Sequence, residues 1–281
     1  MIHNLARRLL PRTFRNWLRS PARSAEYILQ RLSFMAGTRY QVSPMDGWEL
    51  SCHPAARSSF EVFRKDPLQA EELQAFTSRC TARMKLLDVG AHYGLFALAC
   101  RQFAGSDAQV LCVEASPKAA SILRANLAMN DAGHQVTVVN CAIGDADGML
   151  EMLATGPLGE DYFVSVSEAR SDTISVPQLT LASLVAQTGF EPSHIKMDIE
   201  SFEYEALGAS QELLARIRPV LFLEIHGGML VRRGKDPARI AEMLWDAGYT
   251  IWDAEDKPLD KAGLEALNYD CRVTARANVG A

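Results

Sequence analysis

Lys85-Leu86-Leu87-Asp88-Val89-Gly90-Ala91-His92-Tyr93-Gly94 is a short apolar run that ends in an acid and turns through two glycines. A run of this length bounded by glycine reads as a strand buried on both faces, and the apolar spacing over 94–103 reads as the helix that follows it. The same unit recurs downstream. The strand expected at 109–113 stops at Glu114, and Ser116-Pro117 supplies an N-cap and a first-turn proline for a helix over 117–129. Further strands are expected at 136–139, 195–197, 220–225, 249–252 and 271–274, with helices at 181–187, 202–207 and 237–247. Continuous apolar strands alternating with helices predict an α/β fold, a doubly wound, largely parallel sheet covered on both faces. Upstream, a strand pair near 40–53 and a helix covering 68–76 form a lead-in, and the less regular 147–178 segment holds an extra hairpin.

In such sheets ligands sit at the carboxyl ends of the strands, so Asp88, Gly90, Glu114, Asn140, Asp198, Glu224 and His226 are the positions to weigh. Asp88 to Gly94 has the form DxGxxxG. Gly90 allows a close backbone approach or a positive φ, and Gly94 lets the helix start tight against the strand. A dinucleotide site prefers GxGxxG, which this stretch lacks. The acid before the turn suits a ligand with cationic groups better than a pyrophosphate. Glu114, 24 positions after Gly90, can accept hydrogen bonds from both hydroxyls of a ribose.

Composition limits the alternatives. With 281 residues, 48% of them hydrophobic and 22% charged, the chain can bury a sizeable core. No stretch reaches the ~18 apolar residues of a membrane span, and the basic start has no apolar segment behind it to make a secretory signal. The six cysteines are scattered without a CxxC pair, so free thiols in a reducing cytoplasm are expected rather than a zinc site or disulfides. Residues 1–40 carry eight arginines and one acid, a balance of +7 against a whole-chain net charge of −5, so the remainder carries −12. That acidic body argues against nucleic-acid binding. Residues 1–38 read as a basic helical extension and 39–281 as the main domain. Within 1–35, Leu10, Phe14, Trp17 and Leu18 make an apolar stripe between arginines, suited either to the inner face of an anionic membrane or to self-association.

Beyond these readings, Leu87 to Gly94, Glu114-Ala115-Ser116-Pro117, Asn126-Leu127-Ala128-Met129-Asn130, Ala142-Ile143-Gly144-Asp145, Ile195-Lys196-Met197-Asp198-Ile199-Glu200, Glu203, Leu207-Gly208-Ala209 and Leu223-Glu224-Ile225-His226 together resemble the FkbM family of methyltransferases. The resemblance spans about residues 40–253, and the KxDxExxE block starting at Lys196 is its specific part. It implies a class I methyltransferase fold, with a seven-stranded sheet whose last strand is antiparallel. It also implies transfer of a methyl group from S-adenosylmethionine, usually to a hydroxyl oxygen of a sugar or a polyketide-type natural product. The chain departs from the family pattern at three places. His92 stands for a usual asparagine, Ser201 for a usual glycine, and Ala182 for a frequent acid. Ser201 is expected to N-cap the helix after it.

The residues expected to hold the cofactor are Asp88, Gly90, His92, Gly94, Glu114, Ala115, Cys141 and Ala142. The expected catalytic residues are His226, as the base, with Asp198 and Glu200. Asp198, Glu200 and Glu203 also have a plain structural reading, as acids at the start of a helix dipole, and Lys196 could pair with one of them. No metal is favoured; magnesium held by Asp198 and Glu224 is the alternative. Gly227-Gly228 are expected to open a mobile loop whose Arg232, Arg233 and Lys235 suit an acidic small-molecule or glycan acceptor. Two other functions compete on the same sheet: a nucleotide-dependent oxidoreductase, and a degenerate binding module that has lost catalysis.

Overall fold

The structure is a computed structural model, and it describes residues 21–154, 162–164, 173–253, 256–260 and 271–278. The stripe from Leu10 to Leu18 lies outside the described residues. Helix α1 (Pro21–Met35) leads into the hairpin β1 (Tyr40–Met45) and β2 (Trp48–Cys52), then α2 (Arg57–Lys65) and α3 (Pro67–Thr77). The sequence reading expected one helix here. Pro67 ends the first because the residue before a proline is driven to extended backbone, and Asp66 sits at φ −101, ψ 120. Its carboxylate then caps α3 by accepting from the amides of Leu68 and Gln69.

The main sheet uses β3 (Lys85–Val89), β4 (Gln109–Val113), β5 (Val136–Val139), β10 (His194–Met197), β11 (Val220–Ile225), β12 (Tyr249–Trp252) and β13 (Cys271–Ala277), in the order β12-β13-β11-β10-β3-β4-β5. The strands from β11 to β5 run parallel. The last strand, β13, lies between β11 and β12 and is antiparallel to both. This is the expected seven-stranded arrangement. The connecting helices are α4 (Leu95–Ala104), α5 (Pro117–Met129), α6 (Leu181–Thr188), α7 (Glu203–Gly208), α8 (Gln211–Ile217), α9 (Gly227–Arg232) and α10 (Ala238–Asp246). Ser116 caps α5, accepting from Ala119 N at 3.1 Å, and Thr180 caps α6, accepting from Ser183 N at 3.0 Å.

Alternation along each strand divides the core in two. Leu87, Val89, Leu111, Ile195, Met197 and Leu223 face α6, α7, α8 and α10. Leu86, Val110, Cys112 and Phe222 face α4, α5 and the lead-in residues Trp48, Phe60 and Phe76. A leucine such as Leu87, at 0% exposure, contributes roughly 1.5–3 kcal/mol.

Two asparagines, one on α5 and one at its C-cap, fasten the lead-in to the body. Fully buried Asn126 accepts from His53 N at 2.8 Å and donates to Tyr93 O at 2.8 Å. Asn130, one helical turn later, binds both backbone groups of Ser51, at 2.9 and 2.7 Å.

A second, four-stranded sheet holds β6 (Ala142–Ile143), β7 (Gly148–Ala154), β8 (Tyr162–Val164) and β9 (Thr173–Leu179), in the order β6-β9-β7-β8. The expected hairpin is therefore part of a larger insert, joined to β5 through β6. Among the described residues no helix is long and apolar enough to cross a membrane.

Candidate active site

The turn after β3 is held by backbone. Gly90 N and Ala91 N both donate to Val113 O, at 2.9 and 3.0 Å. Gly90 has φ +82, and a Cβ there would stand 1.8 Å from the Asp198 carbonyl oxygen, so no other residue fits. Gly94, at φ +90, would press a Cβ to 2.2 Å from Leu123 Cδ1, which is the tight strand-to-helix packing expected of it. His92 takes φ 48, a left-handed conformation that asparagine and histidine both tolerate better than most residues.

That turn points the His92 amide at Glu114. The Glu114 carboxylate accepts from His92 N and Ser116 N, each at 2.7 Å. Burial nevertheless raises it to about 7, against the pull of those two amides. Both oxygens keep lone pairs for further donors.

Glu114 is in the wall of a cleft of about 290 Å³ at the carboxyl ends of β3, β4 and β10. Gly90, His92, Ala115, Cys141 and Ala142 line it with Glu114, and Asp198 and Glu200 line it as well. Leu150 and Met152 of β7 and Phe202 complete the wall, and sequence reasoning did not single out any of the three. Asp88 and Gly94 are outside the lining. Asp88 shares a face with Leu86, is 2% exposed, and has one oxygen without a hydrogen-bond partner. Burial raises it to about 7, with Lys196 opposing.

At the far end of the cleft, the link between β10 and α7 passes through two residues with positive φ, Glu200 at 52 and Ser201 at 77. The second is where the sequence resemblance leads to an expectation of glycine, and a positive φ suits that residue. Ser201 does not cap α7; the N-cap position is Phe202, with no side-chain cap bond. Arg233 steadies the turn instead. Its guanidinium donates to Ser201 O and to Ser201 Oγ, pairs with Glu205 at 2.7 Å, and lies over the Phe202 ring.

Glu203, fully buried, organises the cluster. Its Oε1 accepts from Ile199 N and Ser201 N, both at 3.2 Å, and pairs with His226 Nδ1 at 3.0 Å. With Nδ1 fixed, the other ring nitrogen of His226 faces Asp198 Oδ1 at 3.7 Å and Glu200 Oε2 at 3.8 Å. Desolvation opposes a charge on His226. The Glu203 hydrogen bond and the charges of Glu203, Asp198 and Glu200 outweigh it and raise the imidazole to about 9.

Behind this cluster is a second group of charges. Lys196, 2% exposed, meets Glu72 of α3 at 3.0 Å and stands 3.9 Å from Asp198 Oδ2. Arg272 of β13 bridges Glu72 and Glu224, each at 2.7 Å. Glu224 is thus committed to Arg272. Among the described residues, the group whose ligand atoms lie within 4.8 Å of one another is Asp198, Glu200 and His226, and Glu224 is not part of it. Gly227 and Gly228 do not open a loop. They begin helix α9, with the amides of Met229 and Leu230 donating to His226 O. Arg233 and Lys235 are engaged with Glu205, and Arg232 donates to Gly228 O.

The family model described as the methyltransferase FkbM domain matches residues 88–251. No curated protein matches the chain. Among solved structures, the methyltransferase FkbM from Methylobacillus flagellatus is similar with 14% identity and a TM-score of 0.48, over 79% of this chain and 53% of that one. The O-methyltransferase from Bacillus cereus, solved in complex with SAH, has 15% identity and a TM-score of 0.45, over 76% of this chain and 82% of that one. The cofactor-bound Rv0187 from MTB has 16% identity, the same TM-score of 0.45 and the same coverage of 76% and 82%.

Proposed function

This chain belongs to the FkbM methyltransferase family, and on that premise we propose that it transfers the methyl group of S-adenosylmethionine to a hydroxyl oxygen of a sugar or natural-product acceptor. The observation that carries the proposal is a single cleft with Glu114 on its β4 side and Asp198 and Glu200 on its β10 side. In this reading Glu114 receives the two ribose hydroxyls while its own geometry is kept by the amides of His92 and Ser116. Gly90, Ala115, Cys141 and Ala142 leave room for the nucleoside, and Leu150 and Met152 cover it.

Methyl transfer is an in-line displacement. The acceptor oxygen forms the new bond to carbon, the carbon–sulfur bond breaks with its electron pair going to sulfur, and the hydroxyl proton leaves. Alignment of oxygen, carbon and sulfur supplies much of the rate, and a base in reach of the hydroxyl adds typically ~10²–10⁴-fold. The sequence makes His226 the candidate for that base, but three carboxylates around it favour a ring that already holds its proton at neutral pH. We therefore give the proton-accepting role to Asp198 or Glu200, with His226 orienting them. An acidic rim and an Arg233 engaged with Glu205 favour an uncharged acceptor over an acidic one.

Binding and turnover test this reading separately. S-adenosylhomocysteine should raise the Tm of the chain, as a ligand selective for the folded state must, and Glu114→Ala should reduce that shift. Labelled S-adenosylmethionine with a panel of sugars should yield methyl ethers. No Tm shift in the parent would remove the cofactor assignment, and a full shift with no transfer to any hydroxyl would remove the acceptor class.

A further inference from the structure

Large apolar side chains at a surface are ordinary when scattered and informative when they gather. Among the described residues nine are exposed, and four of these, Ile28, Leu29, Leu32 and Met35, are on helix α1, at 43%, 63%, 55% and 74% exposure. The other five are each on a different element. At 3.6 residues per turn, Ala25, Ile28, Leu29, Leu32, Met35 and Ala36 fall within an arc of roughly 120°. Every residue from 25 to 36 in that arc is apolar and exposed. The helix is nevertheless held to the body by its other side. The Phe34 ring meets the ring of His53 at 4.2 Å between centroids, beside the turn Pro54–Ala56. Arg39 donates to Phe34 O at 3.1 Å and covers the same ring at 4.0 Å. His53 in turn is tied to Asn126, so α1 presents its apolar arc from a fixed position.

Charge indicates what covers this arc. Residues 1–40 carry eight arginines and one acid, a balance of +7, on a chain whose remainder carries −12. Arg39, just past the C-terminal end of α1, is exposed. A second copy is a poor occupant. It would bring two such basic segments together, and the arc offers roughly 300–400 Å² against the ~800 Å² per partner of a stable dimer. A nucleic acid would answer the arginines and leave the apolar arc in water. An anionic bilayer surface answers both, since acyl chains take the apolar side chains and headgroup phosphates take the guanidiniums. The acidic remainder is repelled from that surface, which leaves the basic end to lie against it.

We infer that α1 is an interfacial anchor that lies along an anionic lipid surface, with Ile28, Leu29, Leu32 and Met35 in the acyl boundary and the arginines of residues 1–40 at the headgroups. The helix does not cross the bilayer. Its 15 residues span ~22 Å, short of the ~30 Å hydrocarbon core, and a helix with one apolar face lies in the plane of the interface. An apolar arc of this size and a basic segment each bind weakly alone, and firm attachment takes both. Loss of either should therefore release the chain. The anchor is independent of the methyl transfer proposed above.

The test uses the full chain in flotation with vesicles of equal parts phosphatidylcholine and phosphatidylglycerol, and with vesicles of phosphatidylcholine alone. The chain should float with the first and stay behind with the second. Salt on the order of 1 M, which shortens the screening length to ~3 Å, should release it. Leu29→Gln combined with Leu32→Gln removes apolar contact without adding charge, at two exposed positions, and should weaken binding roughly tenfold or more. An unchanged Tm in that double variant would assign the loss to the helix face rather than to unfolding. Flotation that does not depend on phosphatidylglycerol, or equal flotation of the double variant, would overturn the inference. So would a dimer in sedimentation velocity that the double variant abolishes, with no vesicle binding, because the occupant would then be a second copy. Retention of an RNA oligonucleotide in place of the vesicles would overturn it as well.

Discussion

Two groups of charged side chains meet at the ends of β10 and β11, and they are arranged differently. In the inner one, Lys196, Glu72, Arg272 and Glu224 alternate in sign, and each cation meets a carboxylate within 3.0 Å. In the outer one, three carboxylates share an imidazole that has a hydrogen bond to only one of them. The inner group joins β10, β11, β13 and the lead-in helix α3, and leaves little for a ligand to complete. The outer group borders the cleft, where Asp198 and Glu200 form part of the lining. Position at the cleft, more than the presence of charge, separates the candidate site from the scaffold.

Exchanging the roles of the two groups gives the largest expected effects. Lys196→Met should destabilise the fold by up to ~3–5 kcal/mol, because buried Glu72 then keeps only Arg272 as a counter-ion. His226→Ala should cost the fold less, because Glu203 keeps the amides of Ile199 and Ser201 as partners, and it should lower kcat by releasing the carboxylates it orients, with S-adenosylhomocysteine affinity nearly unchanged. Denaturant titration and steady-state kinetics on both variants check the pair. A Lys196→Met chain of parental stability would show that the inner group is not a scaffold.

Glu114 gives a sharper contrast, because its charge should act in opposite directions on the fold and on the ligand. Its pKa is raised to about 7 in the folded chain from an ordinary 4.5. The ligand-free fold therefore holds an extra proton between those values. The stability this contributes is complete below pH 4.5 and is lost as the pH rises through about 7. Ribose hydroxyls donate to the charged form, so S-adenosylhomocysteine affinity should instead fall as pH drops below about 7, by up to about tenfold per unit. Calorimetric titrations across pH 5–8 would show it, and Glu114→Gln should remove the slope.

The smallest expected effect is at the turn between the two groups. Ser201→Gly should relieve the φ of 77 and stabilise the chain by about 1 kcal/mol, unless the lost hydroxyl contact to Arg233 cancels it. A Tm unchanged in Ser201→Gly but lowered in Ser201→Ala would assign the position to the hydroxyl rather than to the backbone.

Much of the fold was legible because its signals are local. The apolar run from Lys85 to Val89, the Ser116-Pro117 cap and the glycine turn each act within a few residues, and they place the strand ends where ligands bind. Pairings across the chain left no such trace. Nothing near Lys196 indicates that Glu72, 124 positions earlier, will neutralise it. A lysine inside an apolar strand does imply that some acid must arrive. Leu150 and Met152 are ordinary strand residues until the insert folds over the cleft. Gly227-Gly228 read as a loop because glycine is a poor helix former, yet here tertiary packing overrides propensity: Gly227 is buried and Leu230 is at 0% exposure.

The asparagine clasp on α5 has a consequence for what counts as a unit of this protein. The family match begins at Asp88, yet Asn126, deep inside the matched segment, uses its carbonyl to hold His53 and its amide to hold the glycine turn. A fragment cut to the recognisable segment would expose the face on which Trp48, Phe60 and Phe76 rest and would leave that buried carbonyl unanswered. The stretch matched by the family model is therefore shorter than the stretch that packs together. Shuffling or grafting this domain has to carry the hairpin of β1 and β2 along with it.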